Sequence, residues 1–171
     1  MIRIACITAA AIATAVSTAT PASADPFSDL MTMLPAGYSS GVCQAIDRGT
    51  ALAAVSCGPN SLPGGPASAI YQLFGDDQSL EQAFSAVLDG VDWTPATCPG
   101  EPSSAPTRLK RSNGATYGSV GCGRARTFQT DRDGGVAWTK DSDRFLGVAW
   151  VGYQGQSYPA GLFDWLQAQV G

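Results

Sequence analysis

Apolar residues after position 24 recur with two different periods, and the two periods divide the chain into helices and strands. Phe27, Leu30, Met31 and Leu34 fall at i, i+3, i+4 and i+7 behind Asp25-Pro26, an N-cap and first helical residue, and Pro35 stops the turn. Leu80, Phe84, Val87 and Leu88 fall at i, i+4, i+7 and i+8 after Asp76-Asp77, with Gly90 placed to end a second helix. Leu162, Trp165 and Leu166 mark a third over 157–171, capped near Ser157 or Tyr158. Between them lie β-prone runs at 42–46 and 51–57, joined across Asp47-Arg48-Gly49, and then at 68–74, 115–122, 126–130, 136–140 and 145–153. Asp133-Gly134-Gly135 and Asp141-Ser142-Asp143 read as tight turns. Residues 58–66 and 94–107 are rich in proline and read as irregular connections. The pattern predicts an α+β fold: an antiparallel sheet of five to seven strands packed by two or three helices, chiefly those carrying Leu80 and Trp165.

The first 24 residues follow neither period. Ile4 to Val16 is a small-apolar run of 13 residues behind Arg3, and Ala22-Ser23-Ala24 follows. The run is too short for the roughly 20 residues of a membrane-spanning helix and ends in an Ala-x-Ala pattern, so residues 1–24 read as a secretory signal peptide. Removing 24 of 171 residues leaves 147, enough for a single domain over 25–171 with a substantial core. Losing Arg3 takes Lys+Arg from 10 to 9 against 14 Asp+Glu. A net charge near −5 argues against nucleic acid as a partner. The expectation is a secreted, extracellular chain without a transmembrane segment, free in the medium or held at the cell wall by binding.

Export to an oxidising compartment turns Cys43, Cys57, Cys98 and Cys122 into disulfide candidates. Of the three connectivities open to four cysteines, neighbour pairing is preferred, because Cys43 and Cys57 bracket the first hairpin. An internal echo points the same way. In each half a cysteine precedes a strand ending Val-x-Cys-Gly (residues 55–58 and 120–123), then further strands and a helix, as a duplicated unit with its own staple would.

Histidine is absent, which removes Ser-His-Asp and Cys-His catalysis and imidazole metal ligands. No metal or other cofactor is expected. Paired acids survive as candidate chemistry at Asp76 and Asp77, Asp131 and Asp133, and Asp141 and Asp143, since glycoside hydrolysis needs two carboxyls across one cleft. All sit at caps or turns, where aspartate bonds local backbone amides. Asp131-Arg132-Asp133-Gly134 lacks the further acids of a calcium loop and also reads as a turn. Two binding features stand out. Arg108, Lys110 and Arg111 form a basic cluster that Arg124, Arg126 and Arg132 could join, a docking candidate for an anionic envelope component. Trp138, Trp150 and Trp165 gather in the last third, where they fill a core or line an apolar pocket between helix and sheet.

Several stretches carry a likeness: residues 34–38 (Leu-Pro-Ala-Gly-Tyr), Cys43, 51–60 (Ala-Leu-Ala-Ala-Val-Ser-Cys-Gly-Pro-Asn), 63–66 (Pro-Gly-Gly-Pro) and 71–76 (Tyr-Gln-Leu-Phe-Gly-Asp). With 98–100, 118–123 and 136–139 they span most of residues 34–152. In these the chain resembles small exported actinobacterial, chiefly mycobacterial, proteins that are similar to extracellular portions of some receptor-type serine/threonine kinases. The resemblance implies an exported sensor-like or binding module and supplies no catalytic residues. Neither a transmembrane stretch nor a kinase domain accompanies it here, so only binding carries over. The functional expectation is therefore a non-enzymatic module for an envelope ligand or protein partner, with a carboxylate-dependent hydrolase of envelope polymer as the alternative.

Overall fold

The computed structural model describes residues 25–129, 132–152 and 160–171. The leader assigned to residues 1–24, Asp131, Tyr153 and the Ser157 or Tyr158 cap lie outside the described residues. Helix α1 (Pro26–Met33) starts at Asp25, whose carboxylate accepts from the Phe27 amide at 3.3 Å. Strands β1 (Cys43–Ala45) and β2 (Ala53–Cys57) form the expected hairpin, and β3 (Ser68–Leu73) follows. Helix α2 (Asp77–Leu88) leads to β4 (Trp93–Ala96), β5 (Thr107–Lys110) and the long β6 (Thr116–Gln129). Then come β7 (Arg132–Lys140), a short 3₁₀ turn at Asp141–Asp143, β8 (Phe145–Val151) and α3 (Ala160–Val170).

All eight strands belong to one antiparallel sheet, ordered β1-β2-β3-β8-β7-β6-β4, with β5 beside β4 along the same edge of β6. That is one strand more than the expected maximum: two expected runs merge into β6, and β4, largely from residues read as an irregular connection, and β5, just after it, are added. Pro95 breaks no ladder there, because β4 pairs with β6 alone and its other side needs no donor. The described residues of the expected runs 115–122 and 126–130 fall in one continuous strand, β6, from Thr116 on.

Helices cover both faces. Alternate residues of β8 point opposite ways, so Phe145, Ala149 and Val151 join the core beneath α1 and α3, while Leu146, Val148 and Trp150 join the one beneath α2. The tight turn expected at Asp133-Gly134-Gly135 lies instead within β7, where Gly135 pairs with Gly123 and Trp150. Its glycine is there for room: a Cβ on Gly135 would stand 2.5 Å from the Trp150 ring. Gly147 likewise faces the Trp138 ring, and Gly123 that of Trp93.

Both disulfides follow neighbour pairing. Cys43–Cys57 joins directly opposed residues of β1 and β2, and Cys98–Cys122 ties the segment after β4 to β6. Each half of the chain thus has its own staple, as the echo implied. Otherwise the halves differ, since α2 follows β3 directly whereas β8 intervenes before α3, and the two helices pack on opposite faces. Among the described residues no helix is long and apolar enough to cross a membrane. Together with the disulfides this is compatible with an extracellular setting.

In the chain-entropy picture, closing the 24-residue separation of Cys98 and Cys122 is worth about 3 kcal/mol. Replacing both by serine should lower unfolding stability in urea by about that amount, with β4 and the 98–106 segment losing amide protection first.

Candidate functional site

A cleft among the described residues brings polar side chains from several elements around an apolar floor. It lies where the first half of α2 crosses the ends of β6 and β7, and its volume is about 240 Å³. Asp76 sets the start of α2 by accepting from the Ser79 amide at 2.8 Å and the Ser79 hydroxyl at 2.9 Å. The Ser79 amide, foremost, holds the Asp76 carboxyl below the usual carboxylate range. From this start the helical period turns Leu80 and Phe84 onto the sheet as the cleft floor and leaves Asp77 and Glu81 on the rim.

The opposite wall comes from strand ends. On the edge strand β5, alternation buries Leu109 and turns Arg108 outward. Arg108 donates through Nη1 to Ser119 Oγ of β6 at 3.2 Å and to Asp141 Oδ2 at 3.3 Å. Thr139 of β7, which is buried, accepts from the Ser119 amide at 2.8 Å and donates to Asp141 Oδ1 at 2.6 Å. One hydroxyl thus fixes a backbone amide and a carboxylate together. Asp77 is held by Arg144 Nε at 2.8 Å, and Arg144 adopts the left-handed conformation (φ 53°) that closes the 3₁₀ turn. Glu81 has no hydrogen-bond or ion-pair partner among the described residues. Nor are these carboxylates grouped to hold a metal ion: no such cluster of three or more His, Cys, Asp or Glu occurs among the described residues.

The expected binding residues are dispersed. Arg108 lines the cleft. Lys110 is exposed and shares with Arg108 a second groove beside Phe163 and Gln167 of α3. Arg111 lies 4.8 Å from the Tyr117 ring centre and donates to the Val170 carbonyl at 3.2 Å, tying down the end of α3. Arg124 pairs with Asp133 at 3.1 Å, and Arg132 sits near Trp93 and Trp150 in a further groove. Arg108 and Lys110 thus meet in one groove, while Arg111 is turned to Tyr117 and the end of α3.

The tryptophans separate for a reason of register. Trp138 faces Gly147 and Trp150 faces Gly135, placing the two indoles on opposite sides of the sheet. Of the other two, Trp165 meets Trp138, edge to face at 6.1 Å, and both are buried. Trp150 is half-buried and meets Trp93 at 5.0 Å.

The acid pairs also resolve into local partners. Asp76 is the N-cap, Asp133 is paired with Arg124, and Asp143 is bonded to Lys140 and Ser142. Partial burial acts to raise the Asp143 pKa, but the Lys140 and Ser142 hydrogen bonds outweigh it and keep the group below its ordinary value. Sequence reasoning missed Ser119, Thr139 and Glu81. Thr139 alone carried a signal, as a polar residue beside Ala137 and Trp138 in an otherwise buried strand.

No protein-family model matches the chain, and no curated protein or solved structure matches it either.

Because the folded Asp76 pKa is depressed, its contribution to stability is present above the unfolded value near 4 and disappears as pH falls through the folded one. Asp76→Ala should therefore melt several degrees below the parent at pH 7, and the two melting temperatures should converge as pH drops toward 2. Thermal unfolding followed by circular dichroism across that range checks it.

Proposed function

We propose that the chain is an exported, non-catalytic recognition module that binds a cell-envelope ligand or protein partner through the cleft between α2 and the ends of β6 and β7. One observation carries the reading. The polar wall of this cleft is assembled from β5, β6, β7 and the 3₁₀ turn and is locked by the Ser119–Thr139–Asp141–Arg108 hydrogen bonds beside a Leu80 and Phe84 floor. Donors and acceptors held in place before a ligand arrives lower the ordering cost of binding. Export is supported by the leader-like pattern of residues 1–24 and by two disulfides, and the sensor-like role by the sequence resemblance.

A hydrolase remains the second reading, because Asp77, Glu81 and Asp141 line the same cleft. It is the weaker one. Two-carboxylate hydrolysis needs an acid and a second carboxylate facing the bond to be cut. Here Asp77 is engaged by Arg144, and Asp141 by Thr139 and Arg108.

Co-sedimentation of the purified protein with envelope from the source cells tests the choice. The parent should be retained without releasing soluble fragments. Glu81→Arg, on an exposed helical position, should cut retention about tenfold while the melting temperature stays unchanged. Fragment release that stops in Asp141→Asn would overturn the non-catalytic reading, and undiminished retention of Glu81→Arg would remove the cleft from it.

A further inference from the structure

We infer that the cleft takes a neutral polyhydroxylated ring, a single sugar residue of a larger glycan; this rests on the proposed function and assigns the chemistry of its ligand. Charge disfavours an anion in this cleft. Arg108 lies 3.3 Å from Asp141 and Arg144 engages Asp77, so the charge left over at the opening is that of Glu81, which an anion would meet as its own sign. A compact cation fits no better, since two of the three carboxylates are already engaged by Arg144 and Arg108 and no group of three or more is placed to hold an ion among the described residues.

What the cleft does offer is donors and acceptors side by side. Arg108 uses Nη1 for both of its bonds, leaving its remaining N–H groups directed to solvent, and Glu81 supplies acceptors across from it. Two neighbouring sugar hydroxyls each donate and accept, and charged partners strengthen such bonds. Leu80 and Phe84 are buried, at 4 % and 7 % exposure, and their edges at the cleft floor are the apolar surface that the C–H face of a ring would meet. Size agrees: about 240 Å³ falls below the roughly 300–1,000 Å³ of pockets for drug-sized ligands, enough for one ring with the rest of the chain in solvent.

Amide NMR titration of the folded protein distinguishes the outcomes, with methyl α-mannopyranoside, methyl β-glucopyranoside and methyl β-galactopyranoside as neutral probes, inorganic phosphate as the anion and spermidine as the cation. At least one glycoside should shift the Leu80, Glu81 and Ser119 amides saturably. Glu81→Gln and Ser119→Ala should each weaken that binding about fivefold, the loss expected for one hydrogen bond, with amides elsewhere unmoved. Glycosides that leave these amides unshifted, or shifts that persist undiminished in both variants, overturn the sugar assignment. If phosphate or spermidine then shifts the same amides, the cleft survives as a binding site for another class. If no probe does and Glu81→Arg also keeps full envelope retention, the cleft reading falls as well.

Discussion

A sheet buried on both faces leaves its central strands no solvent side on which to place an indole ring, so such a ring must find its room within the packing, from a neighbour that has no side chain. Three tryptophans are accommodated in this way. Trp138 lies against Gly147, Trp150 against Gly135 and Trp93 against Gly123, each across one strand pairing or close to it. Interiors at crystal-like density tolerate few extra methyl groups, so these glycines are the counterparts of the rings and not points of flexibility. Tyr71 extends the same packing, stacked on Phe145 at 5.6 Å and edge-on to Trp138 at 6.0 Å. Its burial, and secondarily Tyr38, push the Tyr71 hydroxyl well above its ordinary pKa; the two hydroxyls share a 2.7 Å hydrogen bond.

This fit places everything else. With Trp138 and Trp165 filling one face, the opposite face is free for α2, which packs on Ala137, Leu146 and Val148. The N-terminal half of α2 then overhangs the strand ends where Ser119, Thr139 and Asp141 meet. The cleft is thus a by-product of where the helix can lie, and its polar wall is rigid because a buried threonine bridges strand to turn. Of the three acids at this cleft, Asp77 and Asp141 are engaged by Arg144, Thr139 and Arg108, and Glu81 is not, an arrangement on which the proposed binding role rests.

Much of this was legible because it is local. The caps of α1 and α2, the Asp47 turn and neighbour-paired cysteines all depend on residues close in sequence, and all are present. What was misread depends on partners far away. Asp133-Gly134-Gly135 has turn composition, and only the Trp150 ring across the strand pairing explains its place inside β7. Pro95 signals a break until one sees that β4 has a single neighbour. The contacts of the basic residues were hidden for the same reason: Arg111 is tied to Tyr117 and the end of α3, and Arg108 reaches Asp141, contacts no local spacing reveals. Ser119 carries no distinguishing pattern before the strands bring it to Thr139, whose one signal is a hydroxyl in an otherwise apolar run.

The tryptophan–glycine fit is most directly tested by a double-mutant cycle on Trp138 and Gly147, read by urea unfolding. Gly147→Ala should cost about 1–3 kcal/mol by overpacking, and Trp138→Leu should cost stability by losing buried area. Together they should cost at least about 1 kcal/mol less than the sum, because leucine vacates the space the new methyl needs. Strictly additive losses would mean that the ring and the glycine do not depend on each other, and the account of what holds this sheet would be wrong.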